Sequence, residues 1–328
     1  MEPNRPAIFL SIVIPLYNEE ESLLPLLQEI KESVSGYLKK GKRCEVWFID
    51  DGSSDRSWEI IDKVIKQVDT DNFSVSGIRF QKNYGKSTAL QSGFDHANGE
   101  YVITMDADLQ DDPAEIPGLI DTLNEKGLDL ISGWKKERKD PLSKKAPSRL
   151  FNWVTKWITG ISIHDFNCGL KAYKSEVVKH IYLYGEMHRY VPVLAKNAGY
   201  SAIGEKIVHH RKREFGKTKF GASRFINGFL DLATVLFINA YAQRPMHFFG
   251  SIGVMLVLAG TLISGYLAWS KLILGESLQD RPLLFLGVLL IIVGAQFFSI
   301  GFLGEMIHTS RSKRISPTIK EESRSRKG

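Results

Sequence analysis

Asp106, Asp108 and Gln110 are the residues of this sequence best placed to do chemistry together. They lie in YVITMDADLQDDP, Tyr101 to Pro113. Tyr101–Thr104 is a run of β-favouring residues, and along an extended chain side chains two apart point the same way. Asp106 and Asp108 then project together from the end of a buried strand, with Gln110 just beyond. Carboxylates this close repel unless a cation sits between them. The hard-oxygen set suits Mg2+ or Mn2+, which takes one or two protein carboxylates plus substrate phosphates. The competing reading is an acidic turn capping the next helix, because Asp111, Asp112 and Pro113 are good helix-start residues. It accounts for Asp111 and Asp112 but not for acids that begin inside the strand, so a metal site is preferred.

The surrounding pattern says what holds these residues. Phe9–Leu16, Cys44–Ile49 and Val75–Phe80 read as buried strands, and the Tyr101 strand is followed by another at Leu128–Ser132. Helices are expected after Tyr17-Asn18-Glu19-Glu20 to about Lys39, then over Ser57–Val68, Gly85–Ala97 and Pro113–Lys126. Strand and helix alternate, which predicts an α/β, Rossmann-like parallel sheet with ligands at the carboxyl ends of its strands. The usual phosphate loops are absent. No GxGxxG follows the first strand, and Gly85-Lys86-Ser87 has Phe80 where a Walker loop needs its first glycine. A nucleotide held by acids is instead contacted at ribose and base by carboxylates and bridged at its diphosphate by a metal, the chemistry of a nucleotide-sugar donor.

The chain has 328 residues and a net charge of +6, placed unevenly. Residues 205–224 and 311–328 each carry +5, which leaves the rest net negative. Pro245–Ser270 and Pro282–Gly304 contain no Asp, Glu, Lys or Arg, and each is long enough to cross a bilayer. Basic blocks beside apolar spans suit a membrane surface better than nucleic acid. Arg224–Gln243 has periodic polar breaks and reads as an amphipathic helix lying in the interface. Gly287, Gly294 and Gly301 recur every seven residues, so they share a face that permits close helix packing. Cys44 and Cys168 form no CxxC pair, which fits a reducing compartment without disulfide or zinc. Ala7–Leu16 is short, contains Pro15 and does not read as a signal peptide.

VIPLYNEE (13–20), DDGSSD (50–55), KNYGKSTALQSG (82–93) and DADLQDDP (106–113) together resemble the family 2 glycosyltransferases of GT-A fold. Within that family they are similar to polyisoprenyl-phosphate glycosyltransferases of the dolichol-phosphate mannose synthase type. The resemblance continues through CGLKAYK (168–174) and RKREFGKTKF (211–220) and covers about the first 224 residues. The spans resemble the bacterial undecaprenyl-phosphate glucosyltransferase subgroup and its aminoarabinose-transferring relatives.

That resemblance implies a set of roles. Pro15, Tyr17 and Glu19 line a uracil and ribose pocket with Asp50 and Asp51 beside them, while Glu20 and Glu21 complement a helix dipole. Asn83, Lys86 and Ala107 join the donor site. Asp106 touches ribose and metal, and Asp108 and Gln110 are metal ligands. Arg213 and Lys219 close on the diphosphate, with Thr218 where serine is usual. Lys135 and Arg149 receive the lipid phosphate, and Asp165 is an acid near the sugar, counted with Asp106 and Asp108 as catalytic. Glu186, His188 and Arg189 are further pocket candidates, with a surface helix as the equal alternative. Arg211 and Lys212 read as solvated charge.

The implied organisation is a GT-A domain over 1–224, a juxtamembrane helix over 225–243, two transmembrane helices within 244–306 and a basic tail over 307–328. Both termini are expected on the cytoplasmic side of a bacterial inner membrane, with copies able to associate through the spans. The implied reaction moves one hexose, glucose by subgroup resemblance, from a UDP-sugar to polyisoprenyl phosphate with inversion. Aminoarabinose, an N-acetylhexosamine or mannose from GDP-mannose are the alternatives. A phosphate monoester with a second pKa of about 6 is already largely ionised, so no strong general base is required. A processive polysaccharide synthase would carry a QxxRW motif, which is absent, and more spans; two spans also make a poor conduit for a transporter.

Overall fold

Ile8–Leu16 (β1) is apolar at almost every position and buried from Leu10 onward, as a strand covered on both faces must be. It pairs in parallel with Arg43–Asp50 (β2) on one side and Tyr101–Thr104 (β5) on the other. The computed structural model describes residues 7–136, 155–156, 159–211, 246–275, 282–310 and 319–323. The chain divides into two units, one of Met1–Leu232 with Ser316–Gly328, the other of Ala233–Ile315.

In the first unit β2 is followed in parallel by Phe73–Phe80 (β4), and Asp69–Thr70 (β3) pairs antiparallel with the start of β4. Beyond β5 the sheet continues through Lys171–Lys174 (β7), Leu130–Trp134 (β6) and Ile203–Ile207 (β8). β7 runs antiparallel to both neighbours, so the sheet is mixed and the expectation of a wholly parallel sheet is corrected. The KAYK strand is short, with a lysine at each end, and lacks the apolar run by which β1 and β2 are legible. The order is β3-β4-β2-β1-β5-β7-β6-β8, and Ile319–Ser323 (β9) pairs antiparallel with Gly77–Phe80 of β4. Reading 307–328 as a basic tail misses this strand, because IKEES is polar.

The helices lie where the hydrophobic period puts them. They are Leu23–Ser33 (α1), Ser35–Lys39 (α2), Ser57–Gln67 (α3), Lys86–His96 (α4) and Ile116–Glu125 (α5), then the shorter Ser175–His180 (α6) and Val191–Asn197 (α7). α1 buries Leu23, Leu26, Leu27 and Ile30, and α3 buries Trp58, Ile61, Val64 and Ile65. These side chains join β1, β2 and β5 in the main core. α4 lies so close to β1 that a Cβ on Gly93 would fall 2.1 Å from Val13 Cγ1. Only a glycine fits there, and this contact fixes the helix that carries Lys86.

In the second unit Ser251–Leu274 (α8) and Pro282–Ser310 (α9) form an apolar hairpin. Both helices are long and apolar enough to cross a membrane. A Cβ on Gly253 would meet Gly294 O at 2.7 Å, and one on Gly260 would meet Gly287 O at 2.5 Å. Gly287 and Gly294 of α9 thus face α8 of the same chain, and Gly301 faces the Met246–Gly250 turn that precedes α8. The interfacial helix expected over 225–243 lies outside the described residues.

Candidate active site

Two turns carry the acids that end the parallel strands. After β2, Asp50 is fully buried; its Oδ1 accepts from Ser53 N at 2.8 Å and its Oδ2 stands 3.5 Å from Arg79 Nε. Arg79 also donates to Ser53 O at 3.1 Å. Asp51, 4% exposed, accepts from Tyr84 N at 2.6 Å and Gly85 N at 2.9 Å. It thereby ties the end of β2 to the loop before α4. Gly52, at φ 75, lets the two loops touch, since a Cβ there would lie 2.6 Å from the Lys82 carbonyl carbon. Burial pushes the Asp51 carboxyl up to about 6 and also raises Asp50, against the hydrogen bonds that favour their ionised forms. Both residues are the frame of the expected nucleotide pocket; both Asp51 oxygens are already bonded, whereas among the described residues Asp50 Oδ2 accepts no hydrogen bond.

The turn after β1 is built on Asn18, whose φ is 54. Asn18 N donates to Ser53 Oγ at 2.8 Å, its Oδ1 accepts from Ser54 N at 2.8 Å, and Glu19 N donates to Ser57 Oγ at 3.0 Å. Pro15, Tyr17 and Glu19 therefore stand beside the DDGSSD loop, as expected for one pocket. Glu20 serves the start of a different helix from the one expected: α1 begins at Leu23, and Glu20 accepts at 2.9 Å from the N–H of Arg56, the N-cap of α3. Asn83 is exposed on the neighbouring loop.

At the end of β5, Asp106 and Asp108 are both partly exposed and Ala107 between them is buried. Leu109 takes a left-handed φ of 60, rare for a bulky residue and typical of strained functional turns. Asp108 Oδ1 accepts from Gln110 N at 3.2 Å. Two accessible carboxylates plus Gln110 suit a divalent cation that takes its remaining ligands from phosphate. Among the described residues no three His, Cys, Asp or Glu side chains converge to hold a metal alone. Asp106 is paired with Lys86 from the first turn of α4. A Cβ on Gly169 would fall 2.7 Å from the Asp106 carboxyl carbon, which explains a glycine in CGLKAYK. Burial works to raise Asp106, but Lys86, with Lys135 and Lys171 nearby, holds its carboxyl well below the usual range.

The cations are disposed differently from what the sequence implies. Lys135 Nζ lies 2.8 Å from Asp111 Oδ1, with the two side chains 12% and 1% exposed. Burial opposes the ammonium, yet the Asp111 charge outweighs it and raises the Lys135 pKa. Lys135 is thus an internal counter-ion here, not a free cation awaiting a lipid phosphate. Asp111 is correspondingly no helix cap. That task falls to Asp112, whose Oδ1 accepts from Ala114 N at 3.0 Å. Arg211, expected to be solvated, clamps Glu29 at 2.7 Å and Asp112 at 2.8 Å. Arg149, Lys212, Arg213 and Lys219 lie outside the described residues. Asp165 is 2% exposed and its Oδ1 accepts from Asn167 N at 3.1 Å.

Several site residues escaped the sequence reading. Lys171 is 3% exposed and donates to Cys168 O. With Lys86, Asp106, Asn167 and His188 it lines a cavity holding about one water. His188 belongs to a buried turn, not a surface helix: its N donates to Ser87 Oγ at 2.9 Å, and Nδ1 lies 3.1 Å from the same oxygen. Burial, then Lys86 and Arg189, depress its pKa well below the usual imidazole value, so it stands neutral. Trp134 stacks on His164 at 4.2 Å, and His164 Nδ1 is 2.5 Å from Glu205 Oε1. The signal for Lys171 was its place in CGLKAYK; His188 was already a pocket candidate, and nothing local marked Asn167 or the Trp134–His164 stack. Cys44 and Cys168 are buried free thiols, each pushed by burial up to about 12.

Comparison with known proteins agrees with this arrangement. Dodecaprenyl-phosphate galacturonate synthase of Rhizobium johnstonii is 40% identical over 300 residues, covering 91% of this chain and 87% of that protein. Undecaprenyl-phosphate 4-deoxy-4-formamido-L-arabinose transferase of Edwardsiella ictaluri is 36% identical over 300 residues, covering 91% and 88%. Neither name carries glucose. Among solved structures, glucosyl-3-phosphoglycerate synthase from Mycobacterium tuberculosis, in complex with Mn2+, UDP and glucosyl-3-phosphoglycerate, has a TM-score of 0.51 at 18% identity. It covers 71% of this chain and 80% of that one, and shows the shared GT-A fold. The model of "Glycosyl transferase family 2" matches residues 11–181, a span that holds the strand-end acids, Lys86, the DADLQ turn and Lys171. This chain is a glycosyltransferase and belongs to glycosyl transferase family 2.

Proposed function

We propose that this protein transfers one sugar from a UDP-sugar to the phosphate of a polyisoprenyl lipid, and that the sugar is galacturonate or a formamidoarabinose, not glucose. The observation that carries the reading is similarity to two lipid-phosphate sugar transferases over 91% of the chain, through the site and the apolar hairpin alike. The geometry supports it. Acids from two strand ends and the turn after β1 form one cleft suited to a base and ribose, and the DADLQ turn beside them suits a cation on a diphosphate.

Asp106, Asp108 and Gln110 would hold Mg2+ or Mn2+, which when bound neutralises charge on the leaving diphosphate. The residues of the chain do the rest. The frame built by Asp50, Asp51 and Arg79 keeps the nucleotide cleft open, and Lys86 supplies a cation beside it. The acceptor phosphate is ionised above about pH 6, so it attacks without a strong base. His188, neutral and held by Ser87, does not have to act as one. Alignment and charge neutralisation then account for catalysis. α8 and α9 would sit in the bilayer, with the basic flanks on the cytoplasmic side where nucleotide sugars are found.

The test is a donor panel. Detergent-purified full-length protein is incubated with polyprenyl phosphate and UDP-galacturonate, UDP-formamidoarabinose, UDP-glucose or GDP-mannose, and lipid products are weighed by mass spectrometry. Single-sugar lipid from one of the first two donors is expected. Preference for UDP-glucose overturns the sugar assignment, and equal use of polyprenol without its phosphate overturns the acceptor.

A further inference from the structure

The metal-binding carboxylate Asp106 already carries a cation, the ammonium of Lys86, and the surroundings make that cation exchangeable. Lys86 and Asp106 side chains are each 32% exposed. The neighbouring lysines are not free to move: Lys135 is 12% exposed against Asp111, and Lys171 is 3% exposed against Cys168 O. The backbone on which Lys86 stands is fixed, because Asp51 holds Tyr84 N and Gly85 N and because α4 is locked on β1 through Gly93. A rigid helix start with one long, half-open side chain is a lever with a single moving part.

Electrostatics decide when it moves. A divalent cation approaching Asp106 without phosphate meets Lys86 in contact, with Lys135 and Lys171 behind it, and among the described residues no group of three carboxylates, thiols or imidazoles converges to hold it. Two like charges a few ångströms apart in a partly desolvated cleft cost several-fold to many-fold in affinity. A diphosphate changes the balance by adding negative charge beside the turn. The lysine can then leave Asp106 for the phosphates as the metal takes the carboxylate.

We infer that Lys86 is a positioning residue that occupies Asp106 in place of the metal, and hands it over only when the nucleotide diphosphate arrives, so that metal and donor bind as one unit. This rests on the UDP-sugar and divalent-cation reading above. It assigns Lys86 two partners in sequence, Asp106 before the donor and the diphosphate after it.

Binding of Mn2+ to the full-length protein, followed by electron paramagnetic resonance without any turnover, tests the inference. Wild type should bind Mn2+ alone weakly and at least about tenfold more tightly with saturating UDP, and by linkage Mn2+ must tighten UDP by the same factor. Lys86→Met should bind Mn2+ alone about tenfold more tightly than wild type, the scale of removing one nearby charge. It should also lose most of the UDP-dependent gain. Lys86→Arg keeps the charge and should behave as wild type. Lys86→Gln, which can still hydrogen-bond Asp106, repeats the test if Lys86→Met does not fold. Unchanged Mn2+ affinity in the uncharged variants overturns the inference. Wild type that binds no Mn2+ even with UDP overturns the metal reading itself, a separate result.

Discussion

The two halves of the sheet solve opposite electrostatic problems. In the parallel half, β2 ends in acids, and their charge is satisfied chiefly by backbone N–H groups: Ser53 N on Asp50, Tyr84 N and Gly85 N on Asp51. In the mixed half, β6 and β7 bring lysines, satisfied by a carboxylate from elsewhere in the chain (Asp111 for Lys135) or by a carbonyl (Cys168 O for Lys171). Asp106 stands on the seam, an acid of the first half held by cations. Backbone donors fix a loop without adding charge, whereas lysines bring positive charge to the place where an anionic donor and an anionic acceptor must meet.

The largest effect should come from breaking the mixed half. Lys135→Met leaves Asp111 buried without its counter-ion and should cost about 3–5 kcal/mol, the usual scale for one orphaned member of a buried pair. Thermal unfolding of the full-length protein measures it, and Lys135→Met with Asp111→Leu should regain much of the loss. A single variant as stable as wild type would mean the pair is not buried in solution. Next is the seam. Asp108→Asn should lower turnover by about 10²-fold at saturating Mn2+, the scale of losing one transition-state electrostatic contact. Near-normal turnover would remove Asp108 from the metal site.

The parallel half gives a smaller effect with a definite sign. Asp51 titrates near 6 in the folded protein, above its ordinary value. Its contribution to folding is therefore fully present below about pH 4 and is lost as pH rises through 6. Asp51→Asn abolishes that loss, so the melting temperature of the variant relative to wild type should climb between pH 4 and 8. A difference that stays flat with pH would mean the carboxyl is not buried. The same variant separates two sources of the acid limb in rate, since the acceptor phosphate also titrates near pH 6. If the limb persists in Asp51→Asn, the phosphate is its source. Smallest of all is Arg56→Ala. Its guanidinium is 75% exposed opposite Glu20, and stability should change by about 0.5 kcal/mol or less.

Much of the parallel half was legible because burial on both faces demands apolar runs: β1 and β2 are nearly continuous, while β4 interleaves Phe73, Val75, Ile78 and Phe80 with Ser74, Ser76 and Arg79. The two long helices of the hairpin were legible as uncharged apolar runs long enough to cross a membrane. The DADLQ turn could be read from acids clustered directly after a β-favouring run, although the strand closes at Thr104 and the acids sit in the turn beyond it, not inside the strand as expected. Partnerships were not legible. Nothing in the sequence pairs Lys135 with Asp111 or Arg211 with Glu29, because a charge that looks solvated locally can meet its partner only through the fold. For the same reason the turn that Asp165 closes with Asn167 N was not legible. The β7 and β9 strands escaped because KAYK and IKEES lack apolar periodicity, and short polar strands are what a sheet uses at irregular or edge positions.

The β9 strand also sets a schedule for synthesis. Its partner segment, Gly77–Phe80, leaves the ribosome long before Ile319–Ser323, with the whole apolar hairpin made in between. At about 5–20 residues per second, roughly 240 residues of intervening chain take on the order of 10–50 seconds. Through that interval half of the β4 edge offers unpaired backbone groups to any extended neighbour. The last strand can seal it only after both apolar helices exist, so completion of the sheet reports that the hairpin has already been made.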